Sequence, residues 1–148
     1  MIKKSLWNHA CNKVAVSLIL VVSMFVPFII APSVQAAEPI SVSEAISNNT
    51  GTATVRGYIV GTANSGTSYD QEAPFTVATN IGLADSPNET NPSNILPVQL
   101  PTGALRTALN LKDHPENLKA EVTVTGSLEA YFSVPGLKSP TAYTIISD

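Results

Sequence analysis

The sequence predicts a mainly β fold: a small five-stranded barrel with a short N-terminal helix and a second helix between strands 3 and 4. Several short segments alternate apolar and polar residues with the period of a strand, whereas two stretches show helical capping or spacing. Turn-forming Gly, Pro, Asn and Ser residues separate these segments. An immunoglobulin-like sandwich would need about seven strands and usually lacks a central helix, so the small barrel fits better.

Residues 1–36 are interpreted as a secretory signal peptide. Three lysines within the first 13 residues form a positively charged leading region, and an apolar run extends from Val14 to Ala31. Val34-Gln35-Ala36 supplies the small residues that a signal peptidase requires before its cleavage site. The leader therefore predicts an exported protein.

An uncleaved membrane anchor is the alternative interpretation of the leader. The apolar run reaches the roughly 18 residues that a spanning helix needs. Pro27 and Pro32 lie near the end of the run, which is typical of a cleavage region. We expect cleavage after Ala36 and a secreted, extracellular domain, free or associated with the cell envelope.

The predicted mature chain, residues 37–148, is long enough for a single domain with one core. It carries five basic and eleven acidic side chains, a net charge of −6. This balance opposes sequence-independent binding to nucleic acid, because Lys and Arg supply most of the affinity in that mode. The single cysteine, Cys11, lies in the leader, so the mature domain is not a disulfide scaffold.

A short helix opens the mature domain. Ser41-Val42-Ser43-Glu44 matches a capping box, in which the Ser and Glu side chains each cover an unpaired backbone N–H, and the segment from Asn48 to Gly51 ends the helix. Thr52 to Gly61 alternates as the first strand, with a predicted bulge at Gly57. Thr62 to Pro74 has no apolar period and is predicted to be a long loop.

The middle of the chain predicts two strands and the second helix. One strand is predicted to start at residues 75–79 and to resume at residues 81–83. Ile95 to Leu100 predicts the third strand, which Pro97 confines to an edge or a bulge. Leucines and alanines from Gly103 to Leu111 have helical spacing.

The last part of the chain predicts two further strands. Glu121 to Thr125 alternates, and the alternation continues beyond Gly126 with one predicted core face. A turn over Pro135 to Pro140 leads to a final strand over Ala142 to Ile146. This order of elements is that of a five-stranded OB-like barrel. The predicted core face consists of Leu128, Ala130, Phe132 and Val134.

Three segments carry a family resemblance: Tyr131 to Lys138, Ala84-Asp85-Ser86-Pro87, and Pro97 to Pro101. They resemble the OB-fold module at the N-terminus of YhcR-type secreted endonucleases of Gram-positive bacteria, and the resemblance covers nearly all of residues 40–146. In those enzymes the module is accessory, and the nuclease and phosphoesterase chemistry resides in other domains. The resemblance thus implies export and an OB-like fold, and it assigns no catalytic residue.

The titratable residues do not form a recognisable catalytic or metal-binding motif. His114 is the one histidine of the mature domain, whereas a zinc site needs three or four ligands, and no nucleophile elbow accompanies the histidine. Two carboxylate pairs, Asp70 with Glu72 and Asp85 with Glu89, do not match the spacing of an EF-hand loop. We therefore expect no catalytic residue, no metal and no cofactor.

Four residues form the predicted ligand-binding set: Arg56, Tyr58, Tyr131 and Lys138. Strand alternation places the first three on the side opposite the core. Exposed tyrosines can stack on bases or sugars, and nearby Arg or Lys can contact phosphate, as in OB folds that bind single strands. The alternative is that barrel curvature and Gly57 turn Tyr58 into a core or rim aromatic.

These observations predict a secreted, non-catalytic OB-like binding module. Its expected partner is single-stranded nucleic acid or nucleotide fragments, by analogy with single-strand-binding OB folds. The alternative is a protein-interaction module or one that binds a cell-wall glycan, which the negative charge favours because a neutral ligand needs no cationic surface. A stand-alone hydrolase lacks a suitable set of residues.

Overall fold

The structure is a computed structural model that describes residues 37–147 and is mainly β. Short 3-10 turns cover Pro92–Asn94 and Pro115–Asn117. The interpretation of residues 1–36 as a signal peptide lies outside the described residues. The helices and strands, in chain order, are β1 (Ile40–Ser41), α1 (Val42–Ser47), β2 (Thr52–Ser65), β3 (Ser68–Asp70), β4 (Asn80–Ala84), β5 (Leu96–Gln99), α2 (Ala104–Leu109), β6 (Glu121–Tyr131) and β7 (Val134–Ile146).

Five strands pair in a closed ring with the order β2, β4, β5, β7, β6 and back to β2. All these pairs are antiparallel except β5 with β7, which are parallel and meet where Val98 lies opposite Leu137. β1 adds a short parallel pairing to β2, and β3 pairs with the far end of β2 outside the ring. The two six-residue helices precede β2 and β6, and across residues 37–147 neither is long and apolar enough to span a bilayer.

The main hydrophobic core lies inside the ring. Alternate residues of the strands point inward because successive side chains of a strand face opposite sides. Residues from α1 and from the end of α2 complete this core. Its fully buried members include Val42, Val55, Ile59, Ile81, Leu83, Leu96, Val98, Leu100, Leu109, Leu111, Val122, Val124 and Leu137.

The segment predicted as a long loop instead begins with strand. β2 continues to Ser65, and it forms a hairpin with β3 in which Thr62 lies opposite Asp70. Residues 75–79 are not a strand, since β4 begins at Asn80. Phe75 is nevertheless buried in the core. The apolar character of this segment therefore indicates burial, although the segment does not pair as a strand.

The predicted bulge at Gly57 is wrong. β2 pairs with β6 in unbroken register from Thr52 to Tyr58. The irregularities of β2 lie further along, between Ile59 and Gly61 opposite β4 and between Ala63 and Ser65 opposite β3. Gly57 has a different role, because a Cβ there would lie 2.6 Å from Val42 Cγ2 and 2.9 Å from the Ala84 carbonyl oxygen. Glycine allows α1 and β4 to approach β2 closely at this point.

The turn predicted over Pro135 to Pro140 is also wrong. The chain reverses at Phe132 and Ser133, which have φ values of 55° and 62°, and β7 begins at Val134 and runs through the predicted turn. Two consecutive positive φ values are typical of the tight turn that joins two antiparallel strands. Because Phe132 occupies this turn, it is 38% exposed and does not belong to the core, and Ala130 is exposed as well.

Candidate functional site

The four predicted site residues lie on the outer side of the ring but do not share one surface. Arg56 lies opposite Thr123 and Tyr58 lies opposite Glu121 in the pairing of β2 with β6. Tyr131 is ten residues further along β6 than Glu121, which corresponds to roughly 30 Å of strand. The predicted set therefore divides into Arg56 with Tyr58 at one end of β6, and Tyr131 with Lys138 towards the other end.

Arg56 is engaged in an ion pair. Its Nε donates a hydrogen bond to Glu121 Oε1 at 2.7 Å. This hydrogen bond and the attraction between the two charges raise the pKa of Arg56 and lower the pKa of Glu121. The guanidinium is more than half exposed, but a phosphate would have to compete with the carboxylate for it.

Tyr58 belongs to a small apolar cluster on the outer side of the ring. The cluster consists of buried Val60, Ala84 and Ile95, with Tyr58 and Tyr69 packed against them. Tyr58 is half-buried, so it lies at a rim and not in the main core. Part of its ring surface is consequently committed to packing.

Tyr131 and Phe132 form an aromatic pair at the tip of the β6–β7 hairpin. Their ring centroids are 4.3 Å apart, with planes tilted by 35°. Burial raises the pKa of Tyr131, and the Asn80 side chain and the positive charge of Arg106 oppose that rise. Tyr131 and Phe132 therefore present aromatic surface at the hairpin tip.

Lys138 lies on the same outer face as Tyr131, because it is opposite Ser127, an outward residue of β6. Its Nζ is 3.5 Å from Glu129 Oε1. We call Tyr131, Phe132 and Lys138 the aromatic rim. The structure thus brings two of the four predicted residues to one hairpin.

Sequence reasoning missed two residues of this region. Phe132 was assigned to the core by alternation, although it occupies the turn. Arg106 received no role, and its Nε donates to the Leu100 carbonyl oxygen at 2.7 Å, which fixes the guanidinium beside the end of β5. In the sequence, Arg106 is distinguished only by being one of few cations in the mature domain.

Carboxylates line two clefts on the loop after β4. One cleft of about 350 Å³ is lined in part by Glu72, Glu89 and Lys119, and another of about 320 Å³ by Asp85 and Glu89. Glu89 organises its own loop. Its carboxylate accepts hydrogen bonds from the backbone N–H of Thr90 and Asn91 and from the side chain of Asn94, and the bond from the Asn91 N–H contributes most to lowering the pKa of Glu89.

The other titratable candidates lie apart from each other. His114 Nδ1 is 2.9 Å from Glu116 Oε1 at a surface turn, and this hydrogen bond lowers the pKa of Glu116. Within residues 37–147, no three His, Asp or Glu side chains lie close enough together to hold a metal ion. The carboxylate hydrogen-bonded to the His114 ring is that of Glu116, so this pair is a local surface contact.

Comparison with known proteins defines the class of this domain. Residues 40–146 match the model of the family described as Domain of unknown function (DUF6359), so the chain belongs to this family. Endonuclease YhcR of Bacillus subtilis (strain 168) is 42% identical over 119 residues, which are 78% of this chain and 10% of the relative. The chain thus spans a tenth of that endonuclease, and the expected relationship to YhcR-type endonucleases is confirmed for this segment.

One solved structure resembles the chain weakly. The structure of the hypothetical protein ygiW from E. coli is similar with a TM-score of 0.43 and 13% sequence identity. The similarity covers 76% of this chain and 94% of that one.

Proposed function

We propose that residues 37–148 form an OB-like barrel that acts as an exported, non-catalytic accessory binding module of nuclease type. The ring carries this proposal. Its five strands, with a parallel contact between β5 and β7 and with α2 between β5 and β6, support this proposal, because an OB fold is a five-stranded Greek-key barrel.

The non-catalytic role is supported by the extent of the match. A segment equal to 10% of an endonuclease is the size of one module of that enzyme. Three described pairs of titratable groups are local ion pairs: Arg56 with Glu121, His114 with Glu116, and Lys138 with Glu129. An assay of the purified chain on single-stranded and double-stranded DNA and RNA tests this role. Cleavage that stays with the chain through repurification would contradict it, and its loss in His114→Ala would assign the activity to this domain.

Export is the second element of the proposal. It rests on the leader, with its lysines, apolar run and small residues before Ala37. N-terminal sequencing of the chain recovered from the medium of a Gram-positive host should begin at Ala37. Recovery of the intact chain from membranes alone would instead support an anchor.

We propose single-stranded nucleic acid or its fragments as the ligand, bound at the aromatic rim. Tyr131 and Phe132 offer a stacking surface at the hairpin tip, and Lys138, on the same outer face of the hairpin, supplies a positive charge. Base stacking on an aromatic side chain contributes about 1–3 kcal/mol per base. Because Glu129 lies beside Lys138 and few other cations are present, the affinity should be weak and its dependence on salt should be that of only one or two phosphate contacts.

Titration of a labelled oligothymidine at low salt tests this ligand. Tyr131→Ala should weaken binding about tenfold or more, whereas Lys138→Ala should mainly flatten the salt dependence. Tyr143→Ala is the matched control, because Tyr143 is an exposed tyrosine of β7 that lies opposite Val124, on the other face from Tyr131. Equal losses in Tyr131→Ala and Tyr143→Ala would place the site elsewhere.

A second candidate ligand is a neutral cell-wall glycan or a secreted protein. The observation that favours it is the pairing of the cations, since Arg56 and Lys138 each face a carboxylate. Two clefts on the loop after β4 are also lined by carboxylates, those of Glu72, Glu89 and Asp85. Carboxylates accept hydrogen bonds from sugar hydroxyls and do not attract phosphate. Retention of the chain on purified cell-wall polysaccharide, abolished by Glu89→Gln and not by Tyr131→Ala, would identify this function.

A further inference from the structure

The hairpin of β2 and β3 lies across the outer face of β4 and β5. Gly82 and Pro97 face each other on this outer side, since their neighbours Ile81 and Leu83 point into the core. A Cβ on Gly82 would lie 3.0 Å from Cε1 of Tyr69 in β3. The Tyr69 hydroxyl donates to the Ile95 carbonyl oxygen at 3.3 Å, so the ring covers the middle of the face.

The tip of the same hairpin reaches the β6–β7 turn. A Cβ on Gly66 would lie 2.7 Å from the Phe132 carbonyl oxygen and 2.7 Å from Val134 Cγ1. The absence of a side chain at Gly66 is what permits this contact. Residues 62–70, which we call the strap, therefore extend from β2 across the sheet to the aromatic rim.

The two ends of the strap are held very differently. At its base, the buried Asn80 side chain accepts from the Ala63 N–H at 2.7 Å and donates to the Ala63 carbonyl at 3.1 Å. Beyond the base, the strap has an irregular register between Ala63 and Ser65 and exposed polar residues on both arms. Its contacts with the sheet there are the packing of Gly66 and the packing and single hydrogen bond of Tyr69. A two-stranded hairpin is marginal by itself, and such units open without global unfolding.

We propose that the strap is a built-in cover that opens as a unit about its base and uncovers the outer face of β4 and β5 beside the aromatic rim. Opening frees the surface around Gly82 and Pro97 that Tyr69 occupies. The strap and an incoming ligand then compete for one face. The ligand part of this inference rests on the function proposed above, whereas the opening itself does not.

Hydrogen exchange tests the opening without any ligand. In the full chain carrying Cys11→Ser, the amides of residues 65–70 should exchange at least tenfold faster than those of β4 and β5. Tyr69→Ser, which removes the ring from Gly82, should speed strap exchange further and leave β6 unchanged. Strap amides that exchange no faster than those of β4 would overturn the proposal.

A reversible crosslink tests where the tip lies. Thr67→Cys with Val134→Cys, in the Cys11→Ser background, places two cysteines in the lining of one cleft at the strap tip, where a disulfide would join the strap to β7. The oxidised form should slow exchange of residues 65–70 at least tenfold, and reduction should restore it. Thr67→Cys with Lys112→Cys is the control pair. Failure of the first pair to crosslink more efficiently than the control would contradict the contact.

Binding of the labelled oligothymidine separates the two proposals. We expect at least tenfold weaker binding by the oxidised than by the reduced crosslinked chain, and tighter binding by Tyr69→Ser. Equal affinity of the oxidised and reduced forms would overturn the strap as a cover while leaving nucleic-acid binding intact. No binding by any form at low salt would overturn the nucleic-acid proposal, and the exchange rates would then decide the strap alone.

Discussion

Asp85 caps a helix that lies 43 residues earlier in the chain: its Oδ1 accepts a hydrogen bond from the Val42 N–H at 2.7 Å. Its Oδ2 accepts from the next amide, Ser43 N, at 3.0 Å. Ser41 Oγ accepts from the Glu44 N–H, so two side chains cover the first amides of α1. The carboxylate at the end of β4 thus fixes α1 against the ring.

Loss of the Asp85 carboxylate should destabilise the domain. Asp85→Ala leaves two helix amides without acceptors, and we expect the free energy of unfolding to fall by about 1–2 kcal/mol. Asp85→Asn keeps one acceptor oxygen and should cost less. Urea denaturation of both variants measures the difference, with Asp113→Ala, at an exposed aspartate after α2, as the control. Equal effects of Asp85→Ala and Asp113→Ala would refute the cap.

Gly57 should not tolerate a side chain. A Cβ would press against Val42 Cγ2 and the Ala84 backbone, and because the backbone cannot move aside we expect Gly57→Ala to cost about 1–3 kcal/mol. Thr52→Ala, at the exposed start of the same strand, should change stability by less than about 0.5 kcal/mol. Thermal unfolding of both variants provides the test, and a Gly57→Ala melt equal to wild type would contradict the close approach.

The ion pair of Arg56 and Glu121 should appear in the acid limb of the stability curve. Arg56 lowers the pKa of Glu121 in the folded state below its ordinary value of 4.5. The ion pair therefore stabilises the fold fully at pH values above 4.5, and this contribution is lost as the pH falls through the lowered pKa of the folded state. Arg56→Leu should therefore flatten the decline of Tm below that value. Lys112→Leu, at an exposed cation, is the control, and parallel acid limbs for Arg56→Leu and wild type would exclude the effect.

Tyr69 should titrate at unusually high pH. Its burial between the strap and the outer face of β4 raises the pKa of the phenol to about 12. Because the pKa is raised in the folded state, the stabilisation from burying the neutral phenol is complete at pH values below 10, the ordinary pKa of tyrosine. It is lost as the pH rises through the pKa of the folded state. Tyrosine ionisation can be followed by absorbance in the wild type and in Tyr69→Phe. The variant should lack the ionisation step near pH 12 that the wild type shows. A missing component near pH 10 would indicate an exposed ring.

The sequence predicts that the site residues face outward, but it does not predict which of them lie close together. Alternation along β2 and β6 correctly separated Arg56 and Tyr131 from core positions such as Val55 and Val124. The distance between Tyr58 and Tyr131 depends on register, because it is set by which residue of β6 lies opposite Tyr58. Local patterns contain no information about that partner.

What the sequence by itself determined is local: the Ser41 cap of α1, the alternation of β6 through Leu128, and the apolar spacing of α2. Each depends on residues within a few positions, where side-chain period and backbone capping act directly. Only the tertiary structure decided the closure of the ring, the Asp85 cap, the reversal at Phe132 and the course of β7 through Pro135 to Pro140. These features depend on contacts between distant segments, so packing and pairing energy outweighed the local turn preference of proline and glycine.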